Sequence, residues 1–410
     1  MNTTPLPTIA IIGGGPAGLM AAEKLVAMGD AVTVYDRMPT VGRKFLMAGR
    51  GGLNITHSEP LDRFISRYDA ASAWLRPVIE AFPPTALREW CKSLGLETFV
   101  GSSGRIFPKG LKASPLLRAW LRRLNAAGVK FAPRHTWKGW DENGSLLFTD
   151  AEGRTLSIHP DATILALGGA SWPRLGSDGS WVEILRAQNI GVAPLRPANC
   201  GFIAPWSDVF STRFAGQPLK PVTIFFDGQK RQGEAMITRE GLEGGVIYSL
   251  CPALRDAIDA TGEAVLTLDL RPGLSAEALA VRLQMPRGRQ SASTYLRKSA
   301  GLSPMALGLM RESLGSAALP TDPATLVDLI KNTKIKLTAT APLARAISSA
   351  GGVVRDEIDT HFMLKKKPGT FVIGEMLDWE APTGGYLLQA SFSMAVAAAE
   401  GLGEYLKNRS

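Results

Sequence analysis

At 410 residues, 45% of them apolar, the chain can bury a large core and divide it between two or three domains. Three cysteines, Cys91, Cys200 and Cys251, stand far apart in an ordinary globular composition, so neither a disulfide framework nor a metal site is expected and a reducing cytoplasm suits the chain. No membrane span is expected either: the most apolar late stretch, 386–399, is broken by Gln389, Ser391 and Ser393 and falls short of the roughly 20 residues a bilayer demands.

Eight polar or proline-containing residues leave no room for a signal peptide before an aliphatic strand at 9–12. Gly13, Gly15 and Gly18 then take the three positions of a GxGxxG turn. The first makes the turn, the second admits a pyrophosphate to the backbone, and the third lets helix meet strand. Pro16 and Ala17 open the helix, whose N-terminal amides and dipole favour an anion. A second strand, 31–35, ends at Asp36, a carboxylate placed to accept from ribose hydroxyls and to repel a 2′-phosphate. Arg37 follows and belongs with the cofactor-binding residues.

Residues 41–57 carry four glycines in eleven positions, which reads as a loop passing close to a ligand rather than a helix or strand. Arg43 and Lys44 would neutralise a diphosphate. Arg50, Asn54, Thr56 and His57 offer donors and acceptors to the edge of a flat heterocycle, against the plainer reading of a basic surface loop.

Helices are expected over 73–82, 85–94 and 114–127, with an extended stretch at 99–108. Strands at 129–137, 145–149 and 155–159 read as an antiparallel meander inserted into a parallel fold. The buried strand 162–167 runs into Gly168 and Gly169, and a helix covers 181–188. From 98 to 140 there are nine Lys or Arg and no acid; a second acid-free patch holds Arg282, Arg287, Arg289, Arg297 and Lys298. Such runs are either solvated faces or a surface for a polyanion such as RNA.

Short strands at 202–204, 222–226 and 264–268, a polar glycine-rich loop at 236–245 facing the active site, and helices at 277–283, 303–314 and 324–330 suggest an inserted substrate or cap domain over 191–350. It would split the nucleotide-binding domain into 1–190 and 351–410. The chain returns through 351–354, a hairpin, and a strand ending in Gly374 and Glu375. Asp378 follows, and Gly384, Gly385, Tyr386 and Leu387 open the last helix. Glu375 or Asp378 would accept from ribityl hydroxyls, and the amides of Gly385 and Tyr386 would stabilise negative charge on a reduced ring. Two half-sites this far apart imply one long cofactor, FAD, bound without a covalent link.

These motifs give the chain a resemblance to the bacterial flavoproteins of the BaiN/RdsA, aminoacetone-oxidase-like family. The resemblance rests on 13–18, Gly42-Arg43-Lys44, 167–171, 238–245, 350–353 and 374–389, and runs nearly end to end. It implies an α/β fold: a glutathione-reductase-type FAD-binding Rossmann domain, an inserted β-rich domain and a small helical one. Where many members carry Gly-Arg-Cys-Asn this chain has Gly51-Gly52-Leu53-Asn54, and Ser349-Ala350 replaces a frequent Thr before the late Gly-Gly-Val. Family activities span reduction of carbon–carbon double bonds, including a uridine of ribosomal RNA, and amine oxidation.

The expected function is an FAD-dependent oxidoreductase exchanging hydride between flavin N5 and a small molecule. No second GxGxxG unit exists, so NAD(P)H would act only as a transient reductant. His57, Tyr386 and Arg50 are the candidate proton donors by loop position. The alternatives are a flavoprotein that reduces a uridine of ribosomal RNA, or a binding protein with structural FAD. No oligomeric state is assigned.

Overall fold

The computed structural model describes residues 6–49 and 51–409. Aliphatic runs form a five-stranded parallel sheet in the order β5-β4-β1-β2-β3, from β1 (Thr8–Ile12), β2 (Ala31–Asp36), β3 (Lys130–Pro133), β4 (Ala162–Leu165) and β5 (Thr370–Val372). Strands buried on both faces need covering by helices. On one such face α1 (Pro16–Ala27) packs against α3 (Tyr386–Lys407). Small side chains make that approach close: Ala21, Ala22, Ala390, Ala395, Ala398 and Ala399 are fully buried.

Two strands that the sequence joins are separate. The run 129–137 divides at Arg134, whose φ of 59° turns the chain out of the parallel sheet. Lys130–Pro133 pairs with β2, and Thr136–Trp140 starts the antiparallel meander with Leu146–Thr149 and Thr155–Ile158. The glycine-rich stretch after β2 is also not all loop. It holds a short helix, α2 (Arg43–Ala48), because the glycines flank Arg43-Lys44-Phe45-Leu46-Met47-Ala48: Gly42 precedes the first turn at φ 73° and Gly49 follows the last. Buried Phe45 anchors α2 to the core.

The chain separates into two compact units, one containing residues up to Arg196 and from Ile347 on, the other Pro197–Ala346. Each has its own hydrophobic core. In the second unit seven strands form one sheet, and several helices pack on it. Two features there differ from expectation. Within 236–245, Met236 and Ile237 pair with Glu243 and Leu242 inside the sheet, and the short turn between these strands is closed by Thr238, which accepts the Gly241 amide at 2.9 Å. Cys200 and Cys251, remote in sequence, lie with Sγ atoms 3.5 Å apart in the core. Residues 351–353 belong to a strand, Ser348–Val353, paired with Val192–Ala198.

Candidate flavin site

The order of the sheet creates the site. From β1 the chain moves to β2 and β3 on one side and to β4 and β5 on the other, so a crevice opens at the carboxyl ends where the direction reverses. Ile12, Tyr35, Arg37, Leu167, Asp178 and Trp181 line a cavity there. Arg37 and Asp178 form an ion pair across it. The Asp178 carboxyl lies below its ordinary value: burial alone would raise it, but hydrogen bonds from Arg37 and Ser180 prevail.

The three glycines of the turn have separate physical reasons. A Cβ on Gly13 would lie 2.3 Å from the Ala166 carbonyl oxygen, and its φ is 109°. A Cβ on Gly18 would lie 2.0 Å from the Gly13 oxygen. One on Gly15 meets nothing within 4 Å, and its backbone is extended, with φ −81°. Gly13 and Gly18 serve the fold, whereas Gly15 faces open space in front of the α1 N-terminus.

Asp36 holds this turn. Its Oδ2 accepts the Gly14 amide at 2.9 Å and its Oδ1 the Met38 amide at 2.8 Å. Burial raises its carboxyl above the ordinary value, against the pull of those amides and of Arg37 and Arg43. The Gly42 amide donates to the Gly14 oxygen at 2.8 Å, which ties the start of α2 to the same turn.

Arg43 Nε donates to Thr40 Oγ1 at 3.0 Å. Lys44 turns to a network at the ends of β4 and β5: its Nζ donates to Glu375 at 2.6 Å and to Ser171 Oγ at 2.7 Å. Glu375 also accepts the Ser349 amide at 2.9 Å, and Ser349 Oγ accepts from Ala170 at 2.9 Å. Gly168 (φ 73°) and Gly374 (φ 72°) form the bends that bring these segments together. Ser171 and Ser349 are the members that residue-by-residue reading missed; their neighbours in glycine-rich motifs were the available signal.

The Asn54 Oδ1 is buried without a hydrogen-bond partner among the described residues. A buried acceptor in that condition costs about 1–3 kcal/mol unless a donor reaches it. Leu53 beside it is fully buried, so the position where relatives are expected to carry cysteine is a packing position here. Arg50 lies outside the described residues.

His57 and Tyr386 come together, with rings stacked 5.6 Å apart. Neither has a free polar atom aimed at the cleft. His57 Nδ1 accepts the Glu59 amide at 3.1 Å, which leaves the proton on Nε2, donated to the Ser103 oxygen at 3.0 Å. Tyr386 is buried and donates its hydroxyl to Glu59 at 2.5 Å; burial first, then that bond, pushes the phenol well up. Gly385 has φ 94°, and an added Cβ would lie 2.5 Å from the Thr56 backbone, so the α3 N-terminus sits directly against Thr56. Thr56 Oγ1 donates to Gln389 at 2.8 Å and completes the clamp. The Asp378 amide donates to the Val353 oxygen at 2.9 Å, and burial raises its carboxyl.

Glu59, absent from the sequence reading, gathers Arg67 at 2.8 Å, Arg63 at 3.3 Å and the Tyr386 hydroxyl. Burial would raise its carboxyl, but the Arg67 and Tyr386 hydrogen bonds outweigh it and the net direction is down. A carboxylate depressed on folding stabilises the fold above its ordinary value and loses that stabilisation as pH falls through the depressed one. Glu59→Gln is therefore expected to flatten the acid limb of unfolding followed by circular dichroism between about pH 5 and pH 3. An unchanged limb would assign the interaction no weight.

Comparison with known proteins identifies the arrangement. A family profile described as "HI0933-like protein Rossmann domain" matches residues 7–401. The chain belongs to the HI0933-like family. On that membership the expected class stands: an FAD-binding Rossmann flavoprotein, an oxidoreductase. Within reach of this family, the chain is similar to the 3-dehydro-bile acid delta(4,6)-reductase of Clostridium scindens, 26% identical over 97% of this chain and 99% of that one. It is also similar to the ribosomal RNA dihydrouridine synthase of Haemophilus influenzae, 26% identical over 95% and 96%. In fold it resembles a flavocytochrome c3 fumarate reductase, with TM-score 0.54 and 14% identity, covering 98% of this chain and 79% of that one. A 3-ketosteroid delta1-dehydrogenase from Sterolibacterium denitrificans is alike at TM-score 0.53 and 12% identity, covering 98% and 100%. Among the described residues, no helix is long and apolar enough to cross a membrane, and no group of three or more His, Cys, Asp or Glu could hold a metal ion.

Proposed function

We propose that this chain uses FAD to exchange hydride with a small-molecule substrate, with reduction of a carbon–carbon double bond as the reaction class. The open hollow in front of Gly15 carries the reading, because the turn's other two glycines are already explained by packing. Gly13, Gly15, Pro16, Ala17 and Gly18 would hold the diphosphate at the α1 N-terminus, and Asp36 and Arg37 the adenosine end. Gly168, Gly374, Glu375 and Asp378 would border the ribityl chain, with Arg43 and Lys44 supplying positive charge beside it. Asn54 Oδ1 is the acceptor left for a ring N–H, and Gly384, Gly385, Tyr386 and Leu387 present the α3 N-terminus to the ring's carbonyl side. Bound there, FAD supplies two-electron hydride chemistry, and the protein supplies binding, orientation and electrostatics. Tyr386 serves through its backbone, since Glu59 holds its hydroxyl.

The names of the two relatives favour double-bond reduction, and NAD(P)H as a transient reductant fits a chain with one GxGxxG unit. The test is a titration of anaerobically reduced, purified protein with activated alkenes, followed by flavin absorbance. The expected result is a yellow protein whose reduced spectrum is reoxidised by one acceptor class. A colourless protein that gains no flavin spectrum with added FAD would overturn the reading.

A second reading, ribosomal RNA as substrate, draws on the basic run. Its cations are not equivalent. Arg123 is bound to Glu23 at 2.6 Å and to Ser93 at 2.8 Å, and Lys109 to Glu97, both acids outside the run. Arg118 and Arg122 are exposed one turn apart on the helix Ala113–Ala126. Reversing Arg118 and Arg122 to Glu, with Arg123 retained for the fold, is expected to weaken RNA binding and to lower the salt slope by about 0.7–0.9 log units per lost contact. A wild-type affinity indifferent to salt would leave the small-molecule reading alone.

A further inference from the structure

Within the unit Pro197–Ala346, the helices Asp208–Phe214, Ala292–Ser299 and Pro304–Leu314 enclose a groove of about 810 Å³ including its open mouth. Its floor is apolar: Phe210, Phe214 and Leu307 line it, and the two rings rest on Gly308, where an added Cβ would come within 2.8 and 2.9 Å of them. Its walls carry Arg213, Arg297 and Arg311. Arg213 lies 5.2 Å from the Phe214 ring centroid, and Arg311 donates to Ser293 Oγ at 3.4 Å. Among the described residues, no carboxylate pairs with any of the three. Glu312 lines one end, but Ser207 already occupies its carboxylate through amide and hydroxyl at 2.8 and 2.7 Å.

Three exposed guanidinium groups, none of them paired with a carboxylate among the described residues, stand around one hollow. They suit a tetrahedral anion whose several oxygens accept from more than one planar fork. Ser293 and Thr294 add hydroxyls to the same wall. The setting reinforces the sign: from Ala278 to Arg311 the chain has six Lys or Arg and no Asp or Glu. A bare inorganic ion would leave the aromatic floor without purpose, whereas an apolar or aromatic body attached to the anion would cover it.

We propose that this groove binds an organic phosphate, with the phosphate on Arg213, Arg297 and Arg311 and the attached ring or chain on Phe210, Phe214 and Leu307. The proposal does not rest on the flavin reading, and either can fail alone. The probe is 1-naphthyl phosphate titrated by calorimetry onto the FAD-loaded protein, with the flavin spectrum recorded throughout. The expected result is one site per chain, an unchanged flavin spectrum, and affinity reduced about tenfold in Arg297→Ala and in Arg213→Ala, the loss of one charge-assisted contact each. Val209→Asp, at a mouth residue that is 78% exposed and so safe for folding, is expected to weaken binding about threefold to tenfold by placing an acid beside the phosphate. Equal affinity for uncharged 1-naphthol would reduce the groove to an apolar crevice. Binding unaffected by all three variants, or accompanied by a shift in flavin absorbance, would place the ligand elsewhere, and both results overturn the proposal.

Discussion

Purified Gly15→Val is expected to be folded, colourless and unable to take up FAD. The added branched side chain meets no protein atom, and Gly15 already has a backbone conformation that any residue adopts. The cost to the fold itself is then limited to replacing a tolerated N-cap, about 1 kcal/mol or less. What the side chain fills is the hollow before the α1 amides, where a diphosphate would make several charge-assisted contacts worth about 1.5–3 kcal/mol each. Losing even two of them weakens FAD by about a hundredfold or more. The comparison must be with FAD-free wild type, because bound ligand alone raises the melting point. Gly13→Ala and Gly18→Ala are the controls that should fail differently. Their Cβ atoms would press on carbonyl oxygens of the protein, so these variants should lose the fold as well as the cofactor. Full flavin occupancy in folded Gly15→Val would move the cofactor away from this turn.

The distinction between those glycines marks what the sequence could convey. Strand, turn, helix and acid follow one another within 9–36, so local spacing sufficed to place β1, α1, β2 and the turn. The late segment 370–407 was legible for the same reason: a strand, a glycine bend and a glycine-started helix are local patterns. Side-chain partnerships across the chain were not. Lys44 and Glu375 are 331 residues apart, and each alone looked like a ligand for the cofactor. Glu59 gave no signal because its partners, Arg67 and Tyr386, lie on separate elements. The pairing of two cations of the acid-free run is hidden for a similar reason, since the acids that neutralise Arg123 and Lys109 are Glu23, far from it in sequence, and Glu97, just before it. Helix α2 was hidden by the glycines around it, although the six residues between Gly42 and Gly49 contain none. Backbone sign changes at Arg134 and the approach of Cys200 to Cys251 likewise depend on tertiary packing, which periodicity does not report.

The Lys44–Glu375 pair has an expected result of its own. Glu375→Gln keeps the size of the side chain and an oxygen for the Ser349 amide, but removes the charge that faces Lys44 at 2.6 Å. Lys44 is then left three-quarters buried, its side chain 25% exposed, with Ser171 as its remaining partner. Stripping one member from a fully buried pair costs about 3–5 kcal/mol, and residual exposure of both side chains brings the expectation here to about 2 kcal/mol. Lys44→Met alone should also destabilise, leaving a carboxylate that retains amide donors from Ser349 and, at 3.4 Å, Gly169. The double variant removes both charges together, so its loss should fall short of the sum of the single losses by about 1 kcal/mol or more in denaturant unfolding. FAD affinity should fall in all three, because the network joins α2, the β4 end and the β5 end, the three segments that converge on the crevice. Strictly additive losses would mean that Lys44 and Glu375 act separately, one on the diphosphate and one on the ribityl chain, as their positions in the sequence first suggest.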